Sequence, residues 1–208
     1  MIAIVDYGMA NLRSVEKALA YVGGDPVITT DPEVVAGAEK VVLPGVGAFC
    51  AAMTNLHRSG LQEAVVHSIQ SGKLFLGICL GLQMLFEESS EMGSTPGLGV
   101  LPGRVVEFFA EGKPPEAEGL KVPHIGWNAL KIHSGSRLLA GLEEGARVYF
   151  VHSYYPEPQD SGIISATSEY GVDFCCAIEQ GNVMATQFHP EKSGAIGLQI
   201  LRNFVTWN

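Results

Sequence analysis

The sequence predicts an α/β fold: an open, mostly parallel sheet with helices on both faces, and a strand-rich, antiparallel portion in the C-terminal half. Three observations lead there. The apolar runs at 2–5, 41–43 and 74–78 are continuous rather than alternating, the pattern of strands buried on both faces. Segments with helical spacing separate them, as parallel crossovers require. From about Gly103 the helical periodicity gives way to short strand-like runs.

Ile2 to Asp6 reads as the first strand. Asn11 then offers an N-cap to a helix carrying Leu12, Val15, Ala18, Leu19 and Val22 on one face, and Gly23-Gly24 stops it. Val27 to Thr30 forms a second strand, and Asp31-Pro32 supplies the cap and first position of a short helix before Val41-Val42-Leu43. After the turn Pro44-Gly45-Val46-Gly47, helical patterns cover roughly 48–57 and 61–71, and the strand Leu74 to Ile78 flows into a helix over Leu80 to Glu88. Strand-like runs follow at 103–108, 147–152, 163–168, 175–179 and 183–188, with one brief helix near 136–140. The polar stretch Glu111 to Glu116 has no periodicity and reads as a surface loop. A helix over about 195–207 closes the chain, with Ile196, Ile200, Leu201 and Phe204 facing the sheet. No repeat interrupts the 208 residues, so one domain over 1–208 is expected.

Composition narrows the function. A hydrophobic fraction of 47% with 25 dispersed glycines excludes a disordered or fibrous chain. Thirteen basic against 22 acidic residues give a net charge of −9, which disfavours nucleic acid or an anionic membrane as partner. No apolar run approaches the roughly 18 residues of a membrane span, and no basic leader precedes Ile2-Ala3-Ile4-Val5, so a cytoplasmic protein is expected. Cys50, Cys79, Cys175 and Cys176 show no C-x-x-C spacing and no nearby His pair; no metal or cofactor is expected.

A free cysteine is ordinarily a small buried apolar residue, but Cys79 stands in Gly77-Ile78-Cys79-Leu80-Gly81-Leu82-Gln83, where a strand ends and a helix begins. This is a nucleophile elbow with cysteine in place of serine. Glycines at minus two and plus two leave room for the strained turn that presents the reactive atom, and a helix N-terminus favours the thiolate. A thiolate needs a proton carrier for its leaving group. Of six histidines, His189 in Gln187-Phe188-His189-Pro190-Glu191 is best placed, because Glu191 two residues on in an extended segment can orient the ring. His124 and His152, each before a loop, are its rivals; His57, His67 and His133 read as helix or strand surface. Donors for an oxyanion are available from the N–H of Leu80 and the turn ending at Gly47, although that turn alone reads simply as a strand-to-loop connection.

With the elbow, His-Pro-Glu and Pro-Gly-Val-Gly together, the sequence resembles the triad (class I) glutamine amidotransferases over nearly its whole length. Within that family it looks most like the glutaminase subunits of imidazole glycerol phosphate synthases. The segments that carry this are Asp6-Tyr7-Gly8, Asn11 to Val15, Pro44 to Phe49, Pro123 to Asn128, Val151 to Tyr155 and His189 to Ser193; Ala10 departs, where glycine is common. The resemblance implies a Cys79–His189–Glu191 triad and glutamine held by Gly47, Leu80, Gln83, Ser153 and Tyr154. It implies Gly47 and Leu80 as oxyanion donors, and ammonia delivered to a β/α-barrel cyclase in a heterodimer of histidine biosynthesis. Gln83, four residues after the nucleophile on the same helix face, is placed to reach the ligand, against the alternative of a solvated helix residue. Trp127 and Lys192 are candidates for the partner interface, against ordinary packing and a solvated surface. Since uncoupled hydrolysis wastes glutamine, the isolated chain is expected to be nearly idle until the partner binds its ligand and the turn at 44–47 rearranges.

The same triad serves glutaminases of anthranilate, aminodeoxychorismate and pyridoxal phosphate synthesis, which differ only in partner. A non-catalytic interaction subunit would have no use for an intact Cys, His and Glu set. A hydrolase or peptidase on the same elbow would act without a partner.

Overall fold

The structure, a computed structural model, describes residues 1–133 and 135–207. The first half runs β1 (Ile2–Val5), α1 (Leu12–Tyr21), β2 (Pro26–Thr29), α2 (Pro32–Gly37), β3 (Lys40–Gly45), α3 (Phe49–Arg58), α4 (Leu61–Gln70), β4 (Leu74–Cys79) and a single-turn α5 (Leu80–Gln83). The second half adds β5 (Phe86–Ser89), β6 (Thr95–Pro96), β7 (Leu101–Glu107), β8 (His124–Ala129), β9 (Lys131–Ile132) and β10 (Arg147–His152). It ends with β11 (Tyr154–Pro158), β12 (Ile164–Glu169), β13 (Asp173–Gln180), β14 (Val183–Thr186) and α6 (Gly194–Thr206). No helix among the described residues is long and apolar enough to cross a membrane.

The main sheet has eight strands in the order β2-β1-β3-β4-β14-β13-β12-β9. Its first five are mutually parallel, and β13, β12 and β9 continue it antiparallel. Alternation along the strands feeds two cores. Ala3, Val5, Val41, Leu43 and Phe75 pack with residues of α2, α3 and α4, whereas Ile2, Ile4, Val42, Leu76 and Ile78 pack with α1 and α6. Burial on both faces is why these strands read as unbroken apolar runs. The smaller sheets β11-β7-β5-β6 and β10-β8 complete the fold.

Four local features differ from the sequence expectation. Asn11 holds the N-cap position of α1, but its side chain caps nothing, whereas Asp31 does accept from the Glu33 amide. The helix after Cys79 stops after one turn because the carbonyls of Met84, Leu85 and Phe86 accept N–H groups from Leu98, Val100, Leu101 and Gly99. Apolar periodicity continues to Phe86, yet cross-chain pairing has taken the backbone. Residues 136–140 form turns rather than a helix, held by the Glu179 carboxylate, which accepts from Ser136 Oγ and the amides of Arg137 and Leu138 at 2.9–3.2 Å. Finally, His124 and His152 precede no loops: they open β8 and close β10, directly paired.

Candidate active site

Cys79 ends β4 with φ 56° and ψ −106°, a left-handed backbone that an L-residue adopts only under constraint. The constraint is steric. A Cβ at Gly77 would stand 2.8 Å from the Gly81 carbonyl oxygen, and one at Gly81 would run into the carbonyl of Leu43 on β3. Only glycines let the chain fold back this tightly, and the turn aims the sulfur into a cavity of about 400 Å³. Gly47, Leu80, Gln83, Ser153, Tyr154 and His189 line the same cavity.

His189 follows β14. Its backbone is pinned by its amide on the Tyr149 carbonyl at 3.0 Å and by Ser193 Oγ donating to its carbonyl at 2.7 Å. The ring's Nδ1 lies 2.8 Å from Glu191 Oε1, with both side chains almost fully buried. Glu191 reaches it from a 3-10 turn, Pro190–Lys192, rather than along an extended strand. Burial opposes charging this imidazole, but the neighbouring Cys79 sulfur and the Glu191 carboxylate outweigh it and raise its pKa to about 9. Nε2 makes no hydrogen bond of good geometry and stays free for the reacting atoms.

Gln83 is buried rather than solvated. Its Nε2 donates to the Tyr154 carbonyl at 2.9 Å and to Gln187 Oε1 at 3.1 Å, and Gln187 Nε2 in turn donates to Cys79 Sγ at 3.6 Å. Sequence reasoning passed over Gln187, although it stands two residues before His189. It also missed Glu91, which lines the cavity and accepts the Phe49 amide; this residue follows β5, a strand without a clear pattern. Lys192 lies on the cavity wall, while Trp127 and Ile125, 49% and 59% exposed, project from β8 outside it. The rival histidines are a buried pair, His124 Nδ1 lying 3.2 Å from His152 Nε2. Burial lowers the first to about 4 and, with the charge of its neighbours, the second to about 3, so both are neutral imidazoles at physiological pH.

A thiol on a strained elbow, a buried imidazole–carboxylate pair and a pocket of small-molecule size form a set suited to acyl transfer. The family model for glutamine amidotransferase class-I matches residues 3–207. The chain belongs to the class-I glutamine amidotransferases. This amidotransferase is 55% identical over 203 residues to the imidazole glycerol phosphate synthase subunit HisH of Geobacter metallireducens, covering 98% of the chain and 96% of that protein. It is 51% identical over 205 residues to the HisH of Methanothermobacter thermautotrophicus, covering 99% and 98%. Among solved structures, a glutamine amidotransferase superposes with a TM-score of 0.74 at 20% identity, over 98% of this chain and 97% of that one. The PurLQS structure from Thermotoga maritima gives 0.73 at 19%, over 98% and 96%. These distant structures share the fold, an open α/β sheet with helices on both faces.

Proposed function

We propose that this amidotransferase, one domain over 1–208, is the cytoplasmic glutaminase subunit of an imidazole glycerol phosphate synthase. The observation that carries the reading is the meeting of Cys79 with His189 in one cavity, the ring held from behind by the buried Glu191, in a chain 50–55% identical to subunits of that name.

Cys79 attacks the carboxamide carbon of glutamine, and the negative charge moves to the carbonyl oxygen, where the N–H groups of Gly47 and Leu80 receive it. His189, protonated at neutral pH and oriented by Glu191, gives its Nε2 proton to the departing nitrogen. Ammonia leaves and a γ-glutamyl thioester remains. The now neutral imidazole takes a proton from water as the hydroxyl adds to the thioester, and glutamate departs. Gln83, Ser153 and Tyr154 hold the amino-acid end, and the Glu91 carboxylate complements its ammonium group. Ammonia passes to a cyclase subunit of β/α-barrel fold, for which the exposed Ile125 and Trp127 of β8, with Lys192 at the cavity rim, form the docking face.

The resting site is incomplete in one respect, which supports an idle isolated subunit. The Val46 amide, a further donor in the turn that carries Gly47, is bonded to the Met9 carbonyl at 2.9 Å. Glutamate release by the purified chain, alone and with a histidine-pathway cyclase plus its nucleotide ligand, tests the reading, with Cys79→Ala as control. Strong stimulation abolished by Cys79→Ala is expected; Cys79-dependent turnover indifferent to the cyclase would move the chain to another amidotransferase.

A further inference from the structure

The helix after Cys79 is a single turn, and a helix so short supplies little of the dipole that stabilises a thiolate at a longer one. Another group faces the sulfur. Gln187 is fully buried, its backbone fixed by its amide on the Cys176 carbonyl at 2.8 Å, and its side-chain nitrogen lies 3.6 Å from Cys79 Sγ.

An amide's two ends are distinguished only by their partners, and here the partners fix them. The Tyr154 carbonyl can only accept. It takes one bond from Gln83 at 2.9 Å, so Gln83 turns its NH2 end inward, and that same end reaches Gln187 at 3.1 Å. An NH2 group can be met there only by oxygen, so Gln187 presents Oε1 to Gln83 and its own NH2 to the sulfur. His152 Nδ1, 2.8 Å from the same carbonyl, is a donor for the same reason, so His152 and Gln83 each donate to this oxygen. The polarity of the chain Tyr154–Gln83–Gln187–Cys79 is thus set by one backbone carbonyl.

We propose that Gln187 is a positioning residue for the nucleophile, its side-chain N–H holding the Cys79 sulfur and favouring the thiolate over the thiol. Gln83 keeps that N–H aimed. A donor to sulfur stabilises the negative form and weakens as the charge disappears into the thioester, so the bond lowers the barrier to forming the nucleophile without binding glutamine. The role rests on the glutaminase reading for its biological use, but not for its measurement.

The test is alkylation of Cys79 by iodoacetamide, a neutral reagent that needs no glutamine site, followed against pH in the full chain. Peptide mass spectrometry separates Cys79 from the exposed Cys50. Gln187→Glu keeps an acceptor for Gln83 and removes the donor; Gln187→Met removes both polar ends at similar length. Each is expected to move the alkylation profile about one pH unit toward alkali and slow modification about tenfold at neutral pH, equivalent to about 1.4 kcal/mol. In the stimulated enzyme, kcat for glutamine falls and KM changes little. An unmoved profile in either folded variant overturns the proposal, while glutamine turnover by the wild-type chain would still stand. A moved profile in a chain that never hydrolyses glutamine supports the Gln187 contact and sinks the glutaminase reading instead. Should neither variant fold, the side-chain amide resonance of Gln187 in the wild-type chain decides. It is expected to shift when Cys79 is alkylated, and a resonance indifferent to that modification overturns the proposal.

Discussion

Replacing Glu191 with glutamine probes the proton carrier most directly. In the native site burial alone would lower the His189 pKa, and the Cys79 sulfur and Glu191 carboxylate together raise it to about 9. At pH 7.5 such a ring is about 97% protonated, ready to give a proton to leaving ammonia, whereas at the ordinary value of about 6.5 only about 10% would be. The Cys79 sulfur stays in the variant, so losing the carboxylate charge removes at most about tenfold of the competent population. Losing the tautomer control that the 2.8 Å contact provides adds to this, a cost that reaches about 10⁴ in serine-protease triads. The expected result is a fall in kcat/KM of at least about tenfold at pH 7.5, and an alkaline limb displaced from near 9 toward 6.5. The sign follows from the raised value: activity needing the acid form persists below the folded pKa and is lost above it. The assay is glutamate release against pH with the chain saturated by cyclase and ligand. A variant that keeps native kcat/KM and an alkaline limb near 9 would refute the role of Glu191.

Three other perturbations test the framework around the triad. His124 and His152 are held neutral, their folded values depressed to about 4 and about 3, so their contribution to stability is present above pH 6.5 and lost as pH falls toward those values. Thermal unfolding should show a loss of up to about 3 kcal/mol per histidine at pH 4, and a flat midpoint between pH 6.5 and 4 in the wild type would contradict it. Gly81→Ala drives a methyl group into the Leu43 carbonyl, and denaturant titration should register a loss of about 1–3 kcal/mol together with loss of activity. Trp127→Ala removes a half-exposed ring from β8 and should weaken cyclase binding by at least about 2 kcal/mol if this is a central interface anchor, with an unchanged melting temperature of the isolated chain; undiminished affinity by calorimetry would place the docking face elsewhere.

What was legible in the sequence follows a physical line. The parallel strands β1, β3 and β4 and their crossover helices were readable because burial on both faces writes continuous apolar runs, and the elbow because Gly77 and Gly81 have steric reasons that no other residue meets. Illegible features are those in which distant residues intervene. α5 is cut short by N–H groups from 98–101, and the turns at 136–140 are organised by Glu179, some 40 positions away. β8 escaped notice because its two-stranded pairing with β10 leaves Ile125 and Trp127 exposed and so erases the apolar pattern. The buried Gln187, and the burial of Gln83, were hidden for a related reason: a glutamine's partners decide whether it is surface or interior, and composition does not name them.

The Val46 amide offers a way to ask how little energy controls the site. A net backbone hydrogen bond is worth about 0.5–1.5 kcal/mol, yet an oxyanion donor contributes about 2.7–4 kcal/mol to the barrier. Breaking the bond between Val46 and the Met9 carbonyl, and turning the freed N–H toward the cavity, would add a third donor beside those of Gly47 and Leu80 and thus gain more in the transition state than it costs in the ground state. The turn nevertheless stays closed, because no oxyanion is present at rest to reward the change. This peptide turns about the Gly45 ψ and Val46 φ torsions, and Gly45, where a Cβ would stand only 2.9 Å from Leu80 Cβ, is the glycine that gives it that freedom. Partner and ligand that hold the turn open then save at most that ground-state cost, which raises turnover by up to about tenfold. Hydrogen exchange at Val46 is the corresponding measurement. The amide should be protected in the isolated chain, exchange faster when cyclase and ligand are bound without glutamine, and regain protection when a γ-glutamyl transition-state analogue occupies the site. Protection that is identical in all three states would leave the turn a rigid part of the scaffold and the control of turnover somewhere else.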